Sequence, residues 1–300
     1  MKNIPRSRRS VLYVPASNPR ALQKSATLAA DAIIYDLEDS VAPEVKAEAR
    51  EALRAHFRAH PAAGCERIIR INPLVSQWGG EDILAARACN PDAILLPKVE
   101  HPRDLIEAAT ALDEADAADT LGLWAMIETP RGILNADEVA RLGSHSSARL
   151  GCFVVGPNDI ARETGVHLAG DRKFLVPWLM QIVLAARAGG LDVLDGVFND
   201  FADPAGFGRE CRQGAAMGFD GKTLIHPSQI DEANRSFSPD ETEVAEARAI
   251  VELFMRPENA DKGVLSLNGR MVERLHLAMA EKCLTKANRI ATPHKDIERK

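Results

Sequence analysis

The sequence predicts a (β/α)8 barrel followed by a C-terminal helical extension, and three observations carry that prediction. Short apolar, β-branched-rich runs alternate with longer helical patterns from the start of the chain to about residue 235. There are eight such runs, which favours a closed barrel over an open doubly wound sheet. The fingerprints G-x-G-x-x-G and G-x-x-x-x-G-K-[ST] are both absent, which weakens the open-sheet, nucleotide-binding alternative. At 300 residues the chain has room for one barrel of about 250 residues and a tail.

The first run, Val11–Pro15, precedes a helical segment at Asn18–Ala30, with Pro19 where helix starts accept proline. Ala32–Leu37 leads to Glu44–Ala59, whose start carries Pro43, Glu44, Glu48 and Glu51, a composition suited to a positive helix N-terminus. Arg67–Ile71 leads to Gly80–Ala88, Ala93–Pro97 to Pro102–Asp116, and Leu121–Ile127 to Gly132–Leu142. Leu150–Val155 leads to Phe174–Ala188, Asp192–Phe198 to Pro204–Met217, and Lys222–His226 closes the series. The runs are continuously apolar, as strands buried beneath helices are. Residues 1–236 are thus expected to form the catalytic barrel and residues 237–300 an extension. In the extension, Pro239–Arg256 reads as a helix, Pro257–Gly263 as a loop, Val264–Leu267 as a short strand and Arg270–Ile290 as a final helix.

Bulk properties narrow the function. A net charge of −6 argues against nucleic-acid binding, which needs a basic footprint, but permits local positive charge in a cleft. The five cysteines are scattered and form no CxxC or Cys/His cluster, so neither a zinc site nor a disulfide framework is expected, and a reducing cytoplasm fits. The basic N-terminus lacks the apolar stretch of a secretory signal. The most apolar window, Phe174–Ala186, is too short to span a bilayer and holds Pro177 and Gln181, so no membrane association is expected.

Barrel enzymes place their sites at the carboxyl ends of the strands. There the sequence offers Asp36, Glu38 and Asp39, then Arg70 with Asn72, Lys98, Glu128, Asp159, Asp195, and Lys222 with His226. Seven of eight strands thus deliver ionisable groups to one rim, with no such enrichment expected at the opposite ends. A lone member would read as a solvated charge; the ensemble reads as an enzyme. Carboxylates without cysteine and with few histidines select a hard cation such as Mg2+, with Mn2+ as a substitute. Glu128 and Asp159, from adjacent strands, are the expected ligand pair, with Glu38 and Asp39 holding metal-bound waters. Arg70 offers a planar fork for a substrate carboxylate, or for a salt bridge to the same acidic cluster.

The segments Leu12-Tyr13-Val14-Pro15, Asp36-Leu37-Glu38-Asp39-Ser40-Val41, Arg70-Ile71-Asn72, Leu96-Pro97-Lys98, Ile127-Glu128-Thr129, Gly156-Pro157-Asn158-Asp159 and Gly218 through Pro227 occur in order. Together they resemble the citrate lyase β-subunit / malyl-CoA lyase group of CoA-ester lyases, within the HpcH/HpaI aldolase–citrate lyase superfamily. The resemblance implies a Mg2+-dependent barrel cleaving or condensing malyl-, methylmalyl- or citramalyl-CoA-type esters to a 2-oxo acid and an acyl-CoA. Coenzyme A enters as part of the substrate, and a homotrimer or hexamer is implied. By position Glu128 and Asp159 match the family's metal ligands, Arg70 its carboxylate-binding residue, and Glu38 and Asp39 its acidic pair beside the metal. Arg9, Arg20 and Lys24 are candidates for the CoA phosphates. Gly269 through Glu273 resembles a lid segment placed over a neighbouring subunit's site, with Glu273 where the family carries aspartate. That departure points to altered chemistry such as thioester hydrolysis, the alternative being a solvated residue. The rivals are therefore a (3S)-malyl-CoA thioesterase, an aldolase for free 2-oxo acids, and a citrate lyase β-like subunit working only with an acyl-carrier partner.

Overall fold

The computed structural model describes residues 6–61 and 64–291. Two compact units divide the chain, one of Arg8–Phe237 and one running from Ser238 onward.

The first unit is a closed barrel of eight parallel strands. These are β1 (Ser10–Pro15), β2 (Ala32–Asp36), β3 (Glu66–Arg70), β4 (Ala93–Leu96), β5 (Gly122–Ile127), β6 (Leu150–Val155), β7 (Asp192–Asp195) and β8 (Gly221–Leu224). Each pairs with the next, and Val11 opposite Thr223 joins β1 to β8 to complete the ring. Alternate side chains take opposite faces. Ile34, Ile68, Leu95, Trp124, Val154 and Leu194 fill the interior, while Ile33, Ile69, Ile94, Phe153 and Val193 pack outward under the helices. The strands are apolar on both faces because both are buried.

The amino-terminal rim departs from expectation, for it is charged. Arg8, just ahead of β1, binds Glu66 at 2.8 Å and Asp192 at 2.7 Å, and lies 4.7 Å over the Trp124 ring. Its neighbour Arg9 chelates Asp31 through both side chain and backbone. These pairs join segments far apart in sequence, so no local pattern announces them. They plug the barrel bottom with satisfied charge.

Several helices are shorter than their sequence patterns. The first spans Pro19–Ser25, capped by Asn18, whose side chain accepts from the Ala21 N–H. The segment expected at Gly132–Leu142 breaks into Pro130–Leu134 and Ala136–Ala140. Asn135 interrupts it, its amide donating to the Glu100 carbonyl instead of facing solvent. A helix not anticipated, Pro157–Thr164, follows β6 directly and ends in left-handed Gly165. Proline at its first position suits a helix start.

The second unit holds helix Glu241–Met255, capped reciprocally by Asp240 and Glu243, and helix Arg274–Ala291. Between them stands a hairpin of β9 (Val264–Leu267) and β10 (Arg270–Glu273). The final helix therefore begins four residues later than expected, and Glu273 ends a strand. Asn268 and Gly269 both have positive φ, the pairing that closes a two-residue hairpin turn. Ala247, Ile250, Phe254, Val272 and Ala280 form this unit's own core. Among the described residues no helix is long and apolar enough to cross a membrane, and all five cysteines are free.

Candidate active site

A cavity of about 290 Å³ opens at the carboxyl ends of the strands. Asp36, Asp39, Arg70, Asn158 and Asp159 give it a polar side, and Tyr13, Met126, Val155, Val197 and Ile225 an apolar one. The acidic turn after β2 is held from within. Asp36 accepts from the Glu38 and Ser40 N–H groups and from the Ser40 hydroxyl. Lys46 pins the same turn from behind, donating at 2.8 Å to the carbonyls of Leu37 and Glu38.

Arg70 does not present an open fork. Its Nε and Nη2 close on both oxygens of Asp36 at 2.6 Å. Only Nη1 remains, 3.0 Å from Glu38 and 3.3 Å from Asp39, with the guanidinium 5.0 Å over the Tyr13 ring. Burial works to raise the Asp36 carboxyl, but Arg70 and the turn hydrogen bonds outweigh it and hold it below the usual carboxylate range. Of the two uses open to Arg70, a substrate fork and a salt bridge, the salt bridge occupies the fork.

Glu38 and Glu128 are the poorly satisfied groups. Lys98 bridges them, its backbone N–H donating to Glu128 Oε1 at 2.9 Å and its ammonium to Glu38 Oε1 at 3.2 Å. Lys98 does so from a left-handed φ of 51°, a conformation costly for a side-chain-bearing residue and concentrated at functional sites. The other oxygen of each glutamate is buried without a hydrogen bond. For Glu38 Oε2 the nearby Arg70 Nη1 supplies charge at 3.0 Å but not hydrogen-bond alignment. Glu128 Oε2 has neither. Burial pushes the Glu128 carboxyl up to about 8, helped by the charges of Glu38 and Asp159. Burial likewise raises Glu38, with Asp39 and Asp36 adding to it.

Asp159 comes from the first turn of helix Pro157–Thr164, where its side chain pairs with Arg162 at 2.7 Å. Gly156 lets this helix approach Glu128, since a methyl there would lie 2.4 Å from Glu128 Oε2. The donor set suits a hard divalent ion. Two carboxylates stand together, one with an orphaned buried oxygen. That matches Mg2+, which takes one or two protein carboxylates and fills the rest with water and substrate oxygen.

Glu38, Asp39, Arg70, Glu128 and Asp159 therefore gather at one rim. Arg20 and Lys24 are exposed on the helix after β1, whose first turn, with Arg20, lies at the same end of the barrel and whose last turn carries Lys24. Arg9 is a correction: it precedes β1 at the opposite end and is tied to Asp31, so it does not reach this cavity. Asp195 and Lys222 are a second correction, for both turn outward into the layer between barrel and helices. Asn72 is also inward of the helices, anchored to Asp82 and to the Leu37 carbonyl. Glu273 lies at the end of β10 in the second unit, half-buried, its backbone N–H on His276 Nδ1. Lys98, expected at this rim as a candidate ion-pair partner of the acidic cluster, takes that role with Glu38; Lys46, Tyr13 and Met126 have no sequence-derived role, although period-two alternation along β1 and β5 is an available signal for the last two.

A family model described as HpcH/HpaI aldolase/citrate lyase matches residues 9–227. A (3S)-malyl-CoA thioesterase from Cereibacter sphaeroides is 44% identical over 283 residues, covering 94% of this chain and 95% of that one. Citrate lyase subunit beta from Escherichia coli is 35% identical over 288 residues, covering 94% of each. The crystal structure of CitE from Mycobacterium tuberculosis in complex with magnesium, acetoacetate and coenzyme A aligns with a TM-score of 0.75 at 30% identity, over 93% of this chain and 97% of that one.

Proposed function

The chain belongs to the HpcH/HpaI aldolase/citrate lyase family, and from that premise we propose that it is a Mg2+-dependent enzyme cleaving malyl-type 3-hydroxyacyl-CoA esters to a 2-oxo acid and an acyl-CoA. The observation that carries this reading is the buried, unpartnered Glu128 Oε2 beside Asp159, at the rim that also holds Arg70. Glu128 and Asp159 would hold the ion, which when bound supplies Lewis acidity to a developing carbonyl oxygen and orients the substrate.

The chain's own groups do the rest. Nη1 of Arg70, the part of the guanidinium not closed on Asp36, meets the carboxylate of the 2-oxo acid portion. Glu38 and Asp39 would hold water at the same rim. The wall of Tyr13, Met126, Val155, Val197 and Ile225 excludes bulk water from the thioester. Glu273 of a neighbouring copy removes the 3-hydroxyl proton. The freed oxygen electrons form the new carbonyl, the carbon–carbon pair stays on the thioester as an enolate, and a proton completes the acyl-CoA. Arg20 and Lys24 meet the CoA phosphates. This assignment uses the extension from Ser238 as a lid over a neighbouring copy and so requires a homo-oligomer; we take it to be a cytoplasmic trimer or hexamer.

Thioester hydrolysis is the second reading, favoured by the 44% identical malyl-CoA thioesterase. There a water oxygen bonds to the thioester carbonyl, the carbon–sulfur bond breaks, and the sulfur takes the proton. A third, function only with an acyl-carrier partner, draws on the citrate lyase β-subunit relative. Mass spectrometry of products from malyl-CoA and citramalyl-CoA, with and without Mg2+, separates them. Mg2+-dependent acetyl-CoA with glyoxylate or pyruvate supports cleavage. Free CoA with intact hydroxy-diacid replaces it by hydrolysis, and inactivity on both esters removes these two readings in favour of the carrier-dependent complex.

A further inference from the structure

Lys222, Asp195, Arg172 and Glu210 form a charge cluster on the outer side of the barrel wall, remote from solvent. Lys222 and Asp195 are fully buried, at 0% exposure, and 2.9 Å apart. Lys222 also binds Glu210 at 2.8 Å, while Arg172 binds Asp195 at 2.8 Å and Glu210 at 3.3 Å. Gly214 makes room, since a methyl there would approach Asp195 Oδ2 to 2.8 Å. Such a cluster is a poor source of stability, because desolvation of its charges offsets most of their attraction. Its geometry suggests another use.

The cluster grips one residue by both backbone polar groups. Asp195 Oδ1 accepts from the Gly196 N–H at 2.8 Å, and Lys222 donates to the Gly196 carbonyl. Gly196 in turn is pressed against Pro157: a methyl on it would stand 2.2 Å from Pro157 Cδ and 2.8 Å from the Val155 carbonyl. Pro157 is the first residue of the helix whose first turn bears Asp159. Farther along the same turn, Asn199 and Asn158 exchange amide hydrogen bonds at 2.7 and 3.2 Å. Gly196 and Asn199 thus seat the Asp159 helix at two points, and the buried charges fix the seat.

We propose that Lys222 and Asp195 are positioning residues for Asp159: they set the height of the turn after β7, on which the metal-binding helix rests. Neither lines the cavity. The inference rests on the reading of Asp159 as a metal ligand. Supporting groups beyond the ligands commonly change metal affinity by about 10–100-fold when removed, and a packed contact through Gly196 and Pro157 transmits displacement because interiors are close-packed.

The test is Mn2+ binding to the full chain, read by electron paramagnetic resonance at a temperature well below each variant's melting point. Asp159→Asn serves as the reference; if it binds Mn2+ like the wild type, the metal-site reading itself fails. Given a loss there, Lys222→Met should weaken Mn2+ binding by about 10–100-fold with Glu128 and Asp159 both intact. Asn199→Ala, on the exposed side of the same seat, should give a smaller loss of the same kind and serves if Lys222→Met does not fold. A scaffold role alone would lower the melting temperature and leave Mn2+ affinity unchanged in the folded variants. That result overturns the proposal while leaving Asp159 as a ligand.

Discussion

Replacing Gly156 with alanine tests the site at its tightest point. The added methyl would stand 2.4 Å from Glu128 Oε2 and 2.5 Å from Glu128 Cβ, where ordinary contacts begin at 3.4 Å. Something must therefore retreat by about 1 Å. Glu128 cannot swing freely, because its other oxygen is held by the Lys98 N–H at 2.9 Å. Either that bond breaks or helix Pro157–Thr164 moves outward and takes Asp159 with it. In both cases the two carboxylates lose their mutual spacing. Misplacement of about 1 Å costs about 10²-fold in rate, equivalent to about 2.7 kcal/mol of transition-state stabilisation. We expect kcat/KM for the malyl-CoA ester, measured from initial rates at saturating Mg2+, to fall by about that factor in a variant that still melts cooperatively. A kcat/KM within about threefold of wild type would refute the claim that Glu128 and Asp159 act as a spaced pair.

Four other outcomes are expected. Arg70→Met strips the buried Asp36 of its bidentate partner and should destabilise the fold by about 3–5 kcal/mol in urea denaturation; a loss below about 1 kcal/mol would show that Asp36 is satisfied without it. Mg2+ should raise the melting temperature of the wild type and leave Glu128→Gln unshifted, because only a native-state ligand stabilises; equal shifts would remove Glu128 from the metal site. Burial, with His60 and Arg67 nearby, pushes the His56 imidazole down to about 4. The unfolded chain then takes up the proton first below its ordinary value of about 6.5, so this contribution is full above that pH and is lost as pH falls toward 4. His56→Gln should flatten the fall in melting temperature between pH 7 and pH 5, and an unchanged slope would contradict the assignment. Glu273→Ala should lower kcat by about 10²–10⁴-fold if its carboxylate moves the proton; undiminished turnover would return Glu273 to the status of a solvated residue.

The barrel was legible because its signal is local. Each strand is a short apolar run that names itself, and Leu150–Val155 and the helix at Pro204–Met217 coincide with expectation to the residue. The misreadings have physical causes. Lys222 reads as a rim residue until alternation is applied: Thr223 lines the cavity, so Lys222 must face the other way. The charged bottom of the barrel escaped because Arg8, Glu66 and Asp192 meet only after the ring closes. Asn268-Gly269 between alternating residues was a hairpin signal in plain view, masked by the helical pattern that follows. The saturation of Arg70 by Asp36 is a matter of rotamers and distances, which sequence does not encode in any short window.

The pairing of β1 with β8 also bears on how the chain comes to be made. About 210 positions separate Val11 from Thr223, yet they stand side by side. At ribosomal rates of about 5–20 residues per second, β1 waits about 10–40 s for its second neighbour to be synthesised. Any sheet the emerging chain forms before then has β1 at an edge without its second neighbour, rich in Val, Leu and Tyr, and such edges template association with other chains. Closure comes last and covers that edge within the molecule. Destabilising the β8 segment should therefore reveal itself first as aggregation during expression rather than as a lower melting temperature of the finished fold.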